Sequence, residues 1–84
     1  MTTEQLRSHP EYTKCMDRIK SYHPGFTFTM DYTQIPTRAK QNGMRAILRD
    51  AIKLGYLECT QSQISLSCEI TAETFRRTEV ETNA

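Results

Sequence analysis

The chain has 84 residues, 37% of them hydrophobic and 25% charged, with a net charge of +1 and no Trp. That length allows one domain with a thin core, and the composition is too apolar for a disordered chain. It excludes a transmembrane span, because no stretch approaches the roughly 20 apolar residues required.

Met1-Thr2-Thr3-Glu4-Gln5 lacks the basic and apolar regions of a signal peptide, so a cytoplasmic location is expected. The first few residues and the polar stretch 78–84 are expected to fray, leaving one domain with an ordered core over 8–77. The first helix is predicted to start near Ser8. Ser8 and Glu11 have capping-box spacing, and Pro10 falls in the first turn, where a missing N–H costs nothing. Tyr12, Cys15, Met16 and Ile19 recur at helical spacing, and His23-Pro24-Gly25 ends the helix.

Strict alternation over Phe26–Tyr32 predicts a half-buried strand with Phe26, Phe28 and Tyr32 on one face. A rival reading caps a very short helix, Met30 to Ile35, with Thr29. A strand at 26–28 followed by that helix satisfies both. Thr37 is then placed to cap the main helix, Arg38 to Leu54, with Gly55 at its end. Gly43 costs this helix about 1 kcal/mol relative to Ala. It also permits a later start after a Gln41-Asn42-Gly43 turn, although the longer helix is preferred.

A β-hairpin is predicted next. Its arms are 56–60 and 64–70, and its tip is Gln61-Ser62-Gln63. In the second arm Ile64, Leu66, Cys68 and Ile70 alternate with Ser65, Ser67 and Glu69. Thr71 is expected to cap a short final helix through Arg77, anchored by Phe75.

Charge is unevenly placed. Residues 37–57 carry five cations against Asp50, a net of +4, and residues 58–84 carry a net of −3. On a helical projection Met44, Ile47, Leu48, Ala51 and Leu54 share one side. Arg38, Asn42, Arg45, Arg49 and Lys53 fall within an arc of roughly 80° on the other. Such a face suits a phosphate backbone, where each cation releases a counterion. Arg38, Lys40, Arg45, Arg49 and Lys53 are therefore candidate phosphate contacts, and Gln41 and Asn42, with Arg45, candidate base readers. The competing reading is a solvated helix face.

The remaining chemistry is sparse. Cys15, Cys59 and Cys68 form no C-x-x-C pair, so neither a disulfide framework nor a zinc site is expected, and all three are read as packing residues. His9 and His23 flank prolines and have no ligand partners at useful spacing. There is no nucleophile motif, paired-carboxylate motif or glycine-rich phosphate loop. No enzyme activity, metal or other cofactor is expected. Core packing is the default for the aromatics, with a stacking platform for single-stranded nucleic acid as the minority reading.

The order helix, strand or turn, helix, hairpin resembles the winged helix-turn-helix DNA-binding family. The residues that carry the resemblance are Phe28-Thr29-Met30-Asp31-Tyr32, Met44-Arg45-Ala46-Ile47-Leu48 and Lys53-Leu54-Gly55-Tyr56-Leu57-Glu58. It covers roughly residues 8–70. It implies an α+β winged-helix-like fold with a short C-terminal helix and a recognition helix entering the major groove. The expected function is a small DNA-binding protein, a transcriptional regulator. Two features run against this: Thr60-Gln61-Ser62-Gln63, read as the wing, has no cation, and the last segment is acidic. The alternative is a protein-interaction adaptor or inhibitor docking an acidic partner. A homodimer fits either, through the first helix or a hairpin edge.

Overall fold

The structure, a computed structural model, describes residues 2–79. Its elements are α1 (Thr3–Arg7), α2 (Pro10–Ser21), β1 (Thr27–Asp31), a single 3-10 turn (Tyr32–Gln34), α3 (Arg38–Lys53), β2 (Leu57–Ile64) and β3 (Ile70–Arg77). The three strands form one antiparallel sheet in the order β1-β3-β2. The fold is α+β, and the layout is compatible with a winged-helix-like arrangement.

The first residues, expected to fray, form a short capped helix. Thr2 Oγ1 accepts the Gln5 N–H at 3.2 Å, and Gln5 Oε1 accepts the Thr2 N–H at 2.9 Å, closing a capping box. Five residues of helix are marginal alone. Here Leu6 enters the core and Arg7 reaches Asp50 on α3. Ser8 ends this helix, donating its hydroxyl to the Gln5 carbonyl at 3.0 Å. The cap of α2 is instead His9, whose Nδ1 accepts the Glu11 N–H at 3.1 Å, with Pro10 following. The Ser8–Glu11 spacing thus marked the right region but the wrong cap.

The strand and helix readings of 26–35 each hold over part of the segment. β1 runs to Asp31, which caps the 3-10 turn by accepting the Thr33 N–H at 2.9 Å. Tyr32 therefore leaves the strand face that Phe28 occupies and is buried in the core. Phe28 stands opposite Phe75 on β3.

Thr37 caps α3 as predicted, its Oγ1 accepting the Lys40 N–H at 3.2 Å, and the helix runs through Gly43 without interruption. It ends in a Schellman motif. Gly55 adopts φ +86°, its N–H donates to Ile52 O, and the Tyr56 N–H donates to Ala51 O. Met16, Ile19, Ile47, Leu48, Ala51, Leu57 and Phe75 pack between the helices and the sheet.

The hairpin differs most from expectation. Residues 60–63 are strand, and the tip lies at 65–69. There Ser65 N–H donates to Glu69 O at 2.8 Å, Cys68 N–H donates to Ser65 O at 2.9 Å, and Cys68 takes φ +63°. The middle of the alternating run, 65–69, is therefore a turn closed by the paired strand residues Ile64 and Ile70, and Leu66 is fully exposed. Residues 71–77, expected to be helical, form the central strand β3. Its inward positions include Glu73 and Arg77, both buried beside Phe75, so hydropathy alone hides the strand period. Thr78 is also held, donating its N–H to Tyr56 O at 3.0 Å, and the expected frayed stretch 80–84 lies outside the described residues.

Among the described residues, no helix is long and apolar enough to cross a membrane. A Cβ on Gly43 would meet nothing within 4 Å. Gly43→Ala should therefore raise unfolding stability by about 1 kcal/mol, read as a higher urea midpoint at unchanged slope.

Candidate nucleic-acid interface

The seven candidate residues all lie on α3 or in its first turn, but the fold divides them. Arg45 and Arg49 turn toward the sheet. The Arg45 guanidinium lies over the Tyr32 ring, 4.5 Å from its centroid, and Nη2 donates to the Ile70 carbonyl at 2.5 Å. Its Nε is buried without a hydrogen-bond partner among the described residues. Arg49 pairs with Glu73 on β3. Glu73 is only 1% exposed, and its other oxygen accepts the Tyr32 hydroxyl at 2.7 Å. Burial and this carboxylate hold the proton on the Tyr32 phenol, pushing its pKa well above the ordinary tyrosine value.

Gln41, a candidate base reader, is half-buried. Its amide donates to the Ile35 carbonyl at 3.0 Å and ties α3 to the segment entering it. Asn42 is exposed and accepts weakly from Arg45 Nη1 at 3.4 Å. Arg38 is exposed and reaches Glu69 at the hairpin tip at 3.4 Å. This pair contributes little, because both partners stand in solvent and are screened by water and salt. Lys40 and Lys53 are exposed and enter none of the ion pairs among the described residues.

Asp50, the one acid of α3, is also withdrawn from solvent, at 5% exposure. Arg7 holds it with two hydrogen bonds of 3.0 Å each, and the Tyr12 hydroxyl donates at 2.5 Å. The Arg7 guanidinium, helped by Tyr12, keeps the Asp50 carboxyl below the usual carboxylate range. The arc of α3 that holds Arg38, Lys53 and half of Arg49 consequently has no exposed acid of its own, and Lys40 is exposed on the other side of the first turns, beside Ala39 and Met44.

The first turn of α3 contains no acidic residue, although a helix N-terminus favours negative charge. Two cations there oppose the helix dipole.

Of the three cysteines, only Cys15 packs against the core, and Cys59 and Cys68 are exposed. Among the described residues no group of His, Cys, Asp or Glu could hold a metal ion. Tyr12, Tyr32 and Phe75 are core residues. Tyr22, Phe26 and Phe28 are half-buried and stack on one another, with Tyr22 and Phe26 centroids 4.4 Å apart. Comparison with protein-family models, curated proteins and solved structures found no match.

Asp50 gives a pH signature. Its folded pKa is depressed, so its contribution is present above the unfolded value near 3.8 and lost as pH falls through the folded value. Asp50→Asn should cost roughly 1–2 kcal/mol at neutral pH, since it weakens a charged hydrogen-bond pair whose Arg partner is partly solvated. The difference between variant and parent should close as urea melts are repeated at pH values below 3.8.

Proposed function

We propose that this chain is a small DNA-binding module of the winged-helix type, acting as a regulator and contacting phosphate through the solvent side of α3. The observation that carries this reading is the acid-free exposed face of that helix. Asp50 is drawn inward to Arg7, while Arg38, Lys40 and Lys53 remain outside. The compatible layout of helix, strand, helical turn, long helix and hairpin supports it.

The contact set is narrower than the basic stripe of the sequence. Arg38 and Lys53 take phosphates along the outward arc, Lys40 takes one at the first turn, and Asn42 is the side chain left to meet a base edge. Arg45, Arg49 and Gln41 serve by holding the helix in place.

A second reading, docking to an acidic protein surface, is favoured by one specific feature. Glu69 and Glu73, both on the hairpin side of α3, already pair with Arg38 and Arg49. That lowers the positive potential a polyanion would meet. It leaves Lys40 and Lys53 to dock an acidic partner.

Titration against a random duplex separates the two. Affinity should be measurable at about 50 mM salt and fall linearly on a log–log plot as salt rises. Lys40→Ala and Arg38→Ala should each lower that slope by about 1 while leaving thermal stability unchanged. Absence of duplex binding at low salt would contradict the DNA reading and favour the protein partner.

A further inference from the structure

Asp50 and Lys53 stand one turn apart on α3, at the spacing where an acid and a following lysine pair on a free helix. They do not pair here. The ion pairs among the described residues give Asp50 to Arg7 and leave Lys53 out. The two side chains nevertheless share a surface. Both line an open pocket of about 250 Å³, together with Arg49 and with Thr3 and Leu6 of α1. Arg7 does most to hold the Asp50 carboxyl low, and the Lys53 charge adds to the same effect.

Arg7 reaches Asp50 from α1. Its Nε and Nη2 donate to the two carboxylate oxygens at 3.0 Å each, a planar fork that a lysine cannot reproduce. The Tyr12 hydroxyl adds a bond of 2.5 Å to Oδ2. These three bonds keep the carboxylate at 5% exposure, while Lys53 stays in solvent. In α1 itself, Leu6 is the buried residue and Arg7 makes the ion pair to α3. This five-residue helix is a strap that carries a guanidinium to one acid.

We propose that Arg7 is a positioning residue: by occupying Asp50 it keeps that carboxylate from Lys53, so that α1 holds Lys53 free for an anionic partner. Without the guanidinium, Asp50 retains Tyr12 as its hydrogen-bond partner. Lys53, one turn away on the same pocket, then takes the vacated oxygens, and its charge is cancelled within the helix. The exchange of partners at Asp50 stands on this geometry alone. Its effect on phosphate binding rests on the DNA reading.

The test compares the parent with Arg7→Met, Arg7→Lys and Arg7→Met/Asp50→Asn, each held below its thermal melt. The first readout needs no nucleic acid. The rate of acetylation by an N-hydroxysuccinimide ester is followed at Lys53 by mass spectrometry, with Lys40 as the internal reference. In Arg7→Met, Lys53 should react about twofold more slowly relative to Lys40, because pairing protects the amine. The double variant should return to the parental ratio, and Arg7→Lys should fall between. The second readout is affinity for a random duplex at about 50 mM salt. It should drop roughly tenfold in Arg7→Met, with the salt slope lower by about 1, and Asp50→Asn should restore both. Lys53 reacting at the parental rate or faster in Arg7→Met overturns the proposal, since a merely loosened α1 would expose the amine. Should Arg7→Met unfold, a parental ratio in Arg7→Lys overturns it equally. An affinity loss that Asp50→Asn does not restore assigns the phosphate contact to Arg7 itself and also overturns it. A parent that binds no duplex, with Lys53 slowed as expected, contradicts the DNA reading and supports the role of Arg7.

Discussion

The arrangement depends on one buried carboxylate. Glu73 sits in the central strand, takes the Tyr32 hydroxyl on one oxygen and the Arg49 guanidinium on the other, and is shielded from water. A carboxylate in that position is costly without partners and specific with them. It joins β3 to the 3-10 turn and to α3 at one point. Arg45 closes over the same Tyr32 ring, so two successive turns of α3 are attached to the sheet side by cations. In a domain with so small an apolar core, these polar attachments fix the rotation of α3 about its own axis.

That rotation decides which charges face outward. With Arg45 and Arg49 turned to the sheet and Asp50 turned to Arg7 and Tyr12, the helix shows solvent a surface with cations and no acid of its own. The fold consumes half of the basic stripe in doing so. The same rotation directs Gly43 and Ala39 into an open groove beside α1 and α2. The outward face and the groove are thus two consequences of one set of internal bonds.

Elements stabilised by local chemistry were legible in the sequence. Thr37 and Gly55 mark the two ends of the main helix correctly, because a side-chain cap and a left-handed glycine act within a few residues. The apolar side of that helix was equally readable from Ile47, Leu48 and Ala51. Tertiary substitutions for hydrophobic burial were not. β3 buries Glu73 and Arg77 among its inward positions, and its period is invisible to hydropathy although the strand is central. Conversely, Leu66 and Cys68 imitate a buried strand face while occupying a turn. The fate of Arg45, Arg49 and Gln41 was hidden for the same reason. Their partners, Ile70 O, Glu73 and Ile35 O, follow from strand pairing and from the entry into α3, and helical projection carries neither.

The division of the cations of α3 between fold and surface is tested most directly by a double-mutant cycle across Arg49 and Glu73, using Arg49→Met, Glu73→Gln and the pair, read by urea unfolding. If Arg49 holds the helix to the buried carboxylate, each single change destabilises and the coupling energy is about 1–3 kcal/mol. Additive effects within about 0.5 kcal/mol would mean that Arg49 stands on the surface with the other cations, and would contradict the account.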